Sequence, residues 1–398
     1  MAFALGVLTA SGPVSVDLYL PAFPAIAGHF GSSVSTVALS LSTYMIGLAI
    51  GQAVFGRLAD IYGRRRPLVW GILLYIVITI ACAYAPSVGA LVGLRAVQGF
   101  AGCAGMVISR AIVRDLFAGV EAARFFSLLM LVFGVAPVVA PLIGGQVLAI
   151  GGWQGVFFTL AAFAVVCLAV TLWLPETLPR ERRRAAGTRD AVASYRQVLA
   201  NRPFLAYAGA AGFAGAGLIA YIATSPAVVI DQFGVSPQLF GFVFGVNSLG
   251  LVAVSQITGR AVTRVGADAV LRAAVVIETV GGIALLVLAI AGVGLWAVLV
   301  PMFVVVSSFG AIMPTSAALA LTPFPRSAGA ASALLGTTQS ILGAAAGAVA
   351  SAIVFQPAVS MGVVIAAMSV ASLGVLRLVS RQPALDRATE PVAESASL

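Results

Sequence analysis

Twelve apolar runs, each near the length that a helix needs to cross a bilayer, follow one another along the 398 residues. They lie near residues 3–27, 35–56, 67–86, 88–113, 122–149, 152–174, 204–230, 237–259, 269–291, 295–319, 328–355 and 358–379. Inside lipid a span must pair its own backbone polar groups, and the sequence lacks the regular alternation of a membrane barrel. The runs therefore predict an all-α membrane protein with 12 transmembrane helices.

The composition agrees with a chain embedded in lipid. Hydrophobic residues make up 61% and charged residues 9% of the sequence, whereas a soluble domain carries about 25% charged residues. The net charge of +9 does not indicate nucleic acid, because the arginines form short clusters between apolar runs. Cys82, Cys103 and Cys167 lie far apart inside those runs, which fits neither a disulfide framework nor a metal cluster. We expect no metal and no cofactor.

A duplication divides the runs into two sets of six. The segment GRLADIYGRRRPL at 56–68 returns in weakened form as GRAVTRVGADAVL at 259–271, an offset of 259 − 56 = 203 residues. Lipid-embedded chains with such internal repeats are typically transporters built from two bundles related by a pseudo-two-fold axis. The resulting domain prediction is an N-terminal six-helix bundle over 1–174, a linker over 175–203, a C-terminal six-helix bundle over 204–379 and a disordered tail over 380–398.

The arginines outside the spans occupy alternate connections. They follow the even-numbered runs and fill the central linker, whereas the connections after odd-numbered runs contain none. Because cytoplasmic loops carry an excess of positive charge, both termini and the linker are predicted to be cytoplasmic.

Two motifs resemble those of a known family. GRLADIYGRRRPL is similar to the signature G-x-L-a-D-r-x-G-r-r-x-x-l of the major facilitator superfamily, and Leu91, Arg95, Gln98 and Gly99 resemble its span 4 pattern l-x-x-x-R-x-x-q-G. The segments DLYLPAFP, LPETLPRERR and FPRSAGAASALLG resemble the Bcr/CflA group of multidrug exporters.

This resemblance implies a fold and an activity. It implies two six-helix bundles that export small amphipathic drugs, such as bicyclomycin, chloramphenicol and sulfonamides, across the bacterial inner membrane. Protons would be the coupling ion, and the proton gradient the source of energy. We expect a monomer surrounded by lipid, with no nucleic-acid partner.

Asp17, Arg95 and Glu278 are the candidates for proton coupling, because they are ionisable and lie inside apolar runs. An ionised carboxylate in mid-span costs several kcal/mol, so Asp17 should take up a proton readily, as a carrier must; the alternative is a structural partner of another helix. Arg95 is expected to pair with Asp17, or alternatively with backbone carbonyls or Gln98 alone. Glu278 lies on span 9, an outer span in the resembling fold, where an arginine or a hydroxyl would hold it.

The prolines after Asp17 predict a distortion of the first span. Pro21 and Pro24 follow the acid closely and should break the hydrogen-bond ladder of span 1 beyond it. A kinked helix can expose a site at the kink.

The segment at 56–68 predicts a conformational latch. Its glycines permit tight turning, its acid can accept hydrogen bonds from the start of span 11 near residues 329–331, and its arginine can form an ion pair across spans 2 to 4. Ordinary topogenic charge is the alternative reading for the arginines. The latch residues are Gly56, Asp60, Gly63, Arg64 and Asp115.

Span 5 contains a segment that resembles the antiporter signature G-P-x-x-G-G, with Ala140 in place of the first glycine. Its small residues and prolines predict a bent, closely packed seam between the halves, and the resemblance implies a seal against proton leak. The alternative is plain packing of small residues. The motif residues are Pro137, Pro141, Gly144 and Gly145.

A drug cavity is expected to be mostly apolar with a few polar anchors. The candidates for its lining are Asp17, Tyr19, Tyr44, Gln98, Phe213, Tyr221, Asn247 and Gln339.

Other functions were weighed against drug/proton antiport. A transporter of a nutrient or endogenous metabolite on the same fold is the nearest alternative, because a fold does not define its cargo. A membrane enzyme is disfavoured, since the chain has one histidine, His29, and no metal-ligand or paired-carboxylate motif. The spans offer no ring of like charges for a channel and the chain has no Walker motif for ATP.

Overall fold

A computed structural model describes residues 2–117, 119–179, 196–324, 328–353 and 356–380, and these residues are almost entirely helical. A 3-10 turn (Leu20–Ala22) follows the first helix and a π-helical turn (Ala227–Gln232) follows the seventh. The helices are α1 (Ala2–Asp17), α2 (Phe23–His29), α3 (Val34–Tyr62), α4 (Arg65–Ala83), α5 (Val88–Leu116), α6 (Gly119–Trp173), α7 (Arg202–Pro226), α8 (Pro237–Val265), α9 (Ala267–Ala291), α10 (Leu295–Leu321), α11 (Ala328–Ala352) and α12 (Pro357–Ser380).

Within the described residues, ten helices are long and apolar enough to cross a membrane. The difference from the twelve predicted runs has two causes. The first run is divided into α1, the 3-10 turn and α2, and the fifth and sixth runs form the single element α6. Gly152 turns the chain inside α6 with φ 63°, a left-handed conformation that glycine adopts without steric cost. The predicted all-helical class is confirmed, and the twelve apolar runs are distributed differently among the helices.

The internal repeat extends to the local structure. Helix α3 begins and ends 203 residues before α8, since 237 − 34 = 203 and 265 − 62 = 203. Both helices begin after a serine whose side chain accepts a backbone N–H bond, Ser33 in one and Ser236 in the other. The repeat also preserves two glycines with positive φ before and after the helix, namely Gly31 with Gly234 and Gly63 with Gly266.

Close packing within the N-terminal half depends on glycines between α3 and α5. A Cβ atom on Gly47 would lie 1.9 Å from the carbonyl oxygen of Ala96, and one on Gly99 would lie 2.0 Å from that of Tyr44. Backbones can approach so closely only where no side chain intervenes. Helices α3 and α5 therefore form one rigid unit.

The two halves meet along α6 with α8 and along α3 with α11. We call the end of the bundle that carries Gly63 and residues 174–179 the linker side, and the end that carries Gly31 and Gly234 the far side. On the far side the 3-10 turn packs against α7 and α8, and α2 contacts the π-helical turn. The halves are therefore in contact on the far side. Positions that approach closely between the halves are Gly134 and Val252, Pro137 and Ser248, Pro141 and Gly241, Gly145 and Pro237, Gln52 and Gly336, and Ser42 and Gly347.

The domain boundaries, the cytoplasmic position of the linker side and the disordered tail stay predictions. The last helix before the linker ends at Trp173 and the next long helix begins at Arg202. Most of the predicted linker and the predicted tail lie outside the described residues.

Candidate functional site

The break in the first span follows from the positions of two prolines. Pro21 has no N–H to donate to the carbonyl of Asp17, four residues earlier, and its ring would clash with that carbonyl in a continued helix. Helix α1 accordingly ends at Asp17, and Pro24 lies in the first turn of α2. The predicted distortion of span 1 is confirmed, and the acid occupies the last residue before it.

Asp17 is buried at the junction of the halves. Its side chain is 3% exposed, and no described residue forms a hydrogen bond or an ion pair with its carboxylate. It lies within electrostatic range of the hydroxyl groups of Tyr44 and Tyr221, which belong to opposite halves. A change in the charge of Asp17 would therefore act on both halves.

The expected ion pair between Arg95 and Asp17 is wrong for this conformation. Arg95 is completely buried, donates to the carbonyl of Ser15 at 3.2 Å, and forms a short bond to the amide oxygen of Gln98. The rings of Tyr19 and Tyr44 cover the guanidinium, each with its centroid 4.4 Å from Cζ. This matches the alternative of carbonyl and Gln98 partners, to which the structure adds two aromatic faces.

A hydrogen-bond network extends from Arg95 across three helices. Gln98 donates to the hydroxyl of Thr79 at 2.7 Å, and Thr79 donates to the carbonyl of Tyr75 at 2.6 Å. The hydroxyl of Tyr75 lies 2.6 Å from that of Ser15 on α1, next to the carbonyl that Arg95 contacts. The network fixes α1, α4 and α5 to one another. Ser15, Tyr75 and Thr79 are not among the predicted site residues, although polar residues inside apolar runs are a detectable signal.

Three predicted cavity residues are engaged inside the N-terminal half. Tyr19, Tyr44 and Gln98 are each completely buried around Arg95, so they do not line an open cavity in this conformation. In this conformation these amphipathic side chains surround a buried cation, and their contact with a cargo stays a prediction.

Apart from Asp17, the other cavity candidates lie in the C-terminal half. Asn247 donates to the hydroxyl of Tyr221 at 2.9 Å, and both are buried. Phe213 and Gln339 are partly exposed, and the amide of Gln339 lies 2.8 Å from the sulfur of Met313. Their contact with a cargo stays a prediction.

The antiporter motif packs directly against the break. A Cβ atom on Gly144 would lie 2.3 Å from the carbonyl oxygen of Leu18, the residue after Asp17, and one on Gly145 would lie 3.0 Å from that of Pro237. The close-packed seam is therefore confirmed. Apart from Gly152, the described helix α6 keeps helical φ/ψ angles across Pro137 and Pro141. The proposed proton seal stays a prediction.

The latch residues form a charged cluster on the linker side. Arg64 binds Asp115 through two bonds of 2.7 and 3.2 Å and Asp60 through one of 2.6 Å, so the predicted ion pair across spans 2 to 4 is confirmed. Gly63 turns the chain with φ 89°. Burial disfavours the charge of Arg64, but the bonds to Asp115 and Asp60 and their charges outweigh it, so the pKa of Arg64 lies above its usual value.

Two details of the latch differ from the prediction. The segment from Gly56 to Tyr62 belongs to α3, so the turn itself is shorter than the motif. A Cβ atom on Gly56 would meet only an ordinary contact at 3.9 Å, so that glycine does not permit a close approach. The contact of Asp60 with the start of span 11 near residues 329–331 stays a prediction.

Glu176, which the sequence analysis gave no role, completes this cluster. Its carboxylate accepts the backbone N–H of Arg64 at 2.8 Å and that of Arg65 at 3.2 Å. These are unsatisfied donors at the start of α4, where the helix dipole also favours an anion. Thr177 adds a bond of 3.3 Å to Asp115. The segment after α6 is thus tied to the turn between α3 and α4.

Replacing Asp115 by Asn is expected to lower stability by about 1.5–3 kcal/mol, because a charged bidentate bond to Arg64 would be lost. The matched control is Asp268→Asn, which disturbs the half-exposed pair with Arg272 and should cost about 0.5 kcal/mol. Thermal unfolding of the purified protein in detergent compares the two. Equal midpoints for both variants would contradict a structural role for the cluster.

Glu278 is 1% exposed on α9, and its Oε2 has no hydrogen-bond partner among the described residues. The expected arginine or hydroxyl partner is not found among them. The next residue, Thr279, bonds the carbonyl of Ser369 on α12 at 3.1 Å, so this face of α9 packs inside the C-terminal half. Its part in proton coupling stays a prediction.

Two related helical halves inside a membrane are the architecture of a membrane transporter. The profile described as Major Facilitator Superfamily matches residues 5–348. The chain belongs to this superfamily, and its members are transporters, not enzymes.

Individual proteins support the same assignment. The chain is 38% identical over 346 residues to the uncharacterized MFS-type transporter YdgK of Bacillus subtilis, covering 86% of each. It is 31% identical to the bicyclomycin resistance protein homolog of Haemophilus influenzae, covering 90% of each, which supports the resemblance to the Bcr/CflA type. A bacterial homolog of the human lysosomal transporter Spinster, solved in an inward-facing and occupied conformation, shares the fold with a TM-score of 0.73 and 18% identity, over 96% of this chain and 98% of that one.

Proposed function

We propose that this protein is a proton/drug antiporter of the bacterial inner membrane, which exports small amphipathic molecules similar to bicyclomycin or chloramphenicol. The observation that carries the proposal is Asp17. It is a buried carboxylate at a helix break, without an ion-pair partner among the described residues, at the junction of the two halves. The similarity to a relative named for bicyclomycin resistance supports a drug as the cargo.

In the proposed cycle, the space between the halves opens to one side of the membrane at a time. On the far side the two halves are in contact, because the 3-10 turn and α2 meet the C-terminal half there. With the far side closed, cargo enters from the linker side or the inner leaflet. Rocking of the halves then opens the far side, cargo leaves, and Asp17 takes a proton from that side.

The geometry at the break supports a link between proton uptake and the movement of the halves. The carbonyl of Leu18 lies against the space that a side chain on Gly144 would occupy, so the break and α6 cannot move independently. A carboxylate that gains a proton no longer needs solvation or a cation, which changes its preferred surroundings. The change at Asp17 is therefore transmitted to α6 and from there to α8.

The test is a drug-susceptibility panel with and without expression of the chain, containing bicyclomycin, chloramphenicol and a sulfonamide. Expression is expected to raise the inhibitory concentration of at least one drug several-fold, and a protonophore is expected to abolish intracellular exclusion of that drug. Unchanged susceptibility to all three drugs would contradict the proposal and favour a metabolite as cargo. Exclusion that persists under the protonophore would contradict proton coupling.

A further inference from the structure

Arg95 is a buried cation that the structure holds with neutral groups only. Its hydrogen-bond acceptors are the carbonyl of Ser15 and the amide of Gln98, and its Nε has no partner among the described residues. The titratable groups within electrostatic range are the hydroxyls of three tyrosines and one thiol, with no carboxylate among the described residues. They are Tyr19, Tyr44, Tyr75 and Cys82.

Two tyrosine faces compensate for the missing carboxylate. The centroids of Tyr19 and Tyr44 each lie 4.4 Å from Cζ of Arg95, well inside the range of about 6 Å for a cation–π interaction. All three side chains are completely buried, and such interactions strengthen when water is excluded. We call this arrangement of Tyr19, Arg95 and Tyr44 the tyrosine cage.

The two walls of the cage belong to different parts of the fold. Tyr44 lies on α3, where its backbone carbonyl is packed against Gly99 of the same rigid unit that carries Arg95. Tyr19 instead lies in the break, two residues after Asp17 and just before the 3-10 turn. Its hydroxyl lies 3.0 Å from that of Ser40 on α3. One wall therefore belongs to the unit that carries Arg95, and the other to the break beside the acid.

We propose that the tyrosine cage couples the charge of Asp17 to the movement of span 1, with Tyr19 and Tyr44 acting as positioning residues through their aromatic faces. In the conformation described, the cage holds Arg95 while Asp17 is unpaired. Displacement of the break withdraws Tyr19 and opens one face of the guanidinium to the ionised acid. Arg95 thus exchanges an aromatic partner for a carboxylate, and the exchange depends on whether Asp17 carries a proton. This inference rests on the proposed proton coupling.

The experiment compares two assays on the purified full chain in proteoliposomes, with radiolabelled chloramphenicol as the probe. Equilibrium exchange requires binding and alternating access but no net proton movement, whereas accumulation driven by a pH gradient requires coupling. Tyr19→Leu and Tyr44→Leu are expected to lose about 10-fold in gradient-driven accumulation while exchange stays within about two-fold, as the loss of a desolvated cation–π contact predicts. Tyr19→Phe and Tyr44→Phe keep the faces and should keep both activities.

Phe157→Leu is the matched control. Phe157 is also completely buried and its ring lies 5.3 Å from that of Tyr19, but it has no cation–π contact with Arg95. It should keep the ratio of the two activities. If a Leu variant fails to reach the membrane, Met at the same position fills the space without an aromatic face.

Three results would overturn the inference. Leu or Met variants that keep gradient-driven accumulation would show that the faces are not required. A parallel loss of exchange and accumulation would indicate a structural role only, and an equal loss in the Phe variants would assign the effect to the hydroxyl groups. Failure of the wild-type protein to accumulate the probe under a pH gradient would instead contradict the proposed function for this cargo.

Discussion

The variant Asp17→Asn is expected to reduce pH-gradient-driven drug transport to background while the protein still reaches the membrane. The amide has nearly the same shape as the carboxyl group but cannot take up and release a proton near neutral pH. Asp17 ends α1 and is 3% exposed at the junction of the halves. The measurement is accumulation of radiolabelled chloramphenicol in inverted proteoliposomes with an acidic interior.

Asp231→Asn serves as the control for this experiment. Asp231 is exposed in the π-helical turn on the far side, where loss of a charge should leave transport unchanged. Gradient-driven transport by Asp17→Asn at the wild-type rate would contradict Asp17 as the proton carrier. Glu278 would then be the next candidate.

The variant Gly99→Ala is expected to destabilise the whole N-terminal half. The added methyl group would lie 2.0 Å from the carbonyl oxygen of Tyr44, and a backbone atom cannot move aside as a flexible side chain can. Overpacking of this kind costs about 1–3 kcal/mol, or more where the backbone must shift. The thermal unfolding midpoint in detergent should fall, and transport should fall with it because Tyr44 covers Arg95.

Gly93→Ala on the same helix is the matched control. A Cβ atom on Gly93 would have no neighbour within 4 Å, and alanine favours a helix over glycine by about 0.5–1 kcal/mol. This variant should be as stable as the wild type or slightly more stable. Similar midpoints for Gly99→Ala and Gly93→Ala would contradict the close packing of α3 against α5.

The fold was predictable from the sequence because lipid leaves few options. Apolar runs of sufficient length must be helices, and the repeat at 56–68 and 259–271 fixed the pairing of the halves. The break after Asp17 was also predictable, since the effect of Pro21 depends only on the residue four positions earlier. Local chemistry along one helix was therefore sufficient for these features.

Contacts between distant spans could not be predicted from the sequence in the same way. The sequence indicated that Arg95 needed a partner, and electrostatics favoured the nearest acid, but the structure provides two aromatic faces and a carbonyl. Which of several chemically adequate partners meets a cation depends on helix rotation and packing, which one sequence does not specify. The same holds for Glu176, whose role as a cap for α4 depends on where α6 ends.

The duplicated turns at Gly63 and Gly266 differ in the ion pairs beside them. The first is followed by Arg64, which binds Asp60 and Asp115, whereas the second is followed by Ala267, and Thr263 stands at the position of Asp60. An ion pair that joins two helices limits the movement of one against the other, so the N-terminal turn ties α3 to α5 through Arg64 and Asp115. The ion pair that follows the C-terminal turn, between Asp268 and Arg272, lies within α9 and sets no such limit between helices.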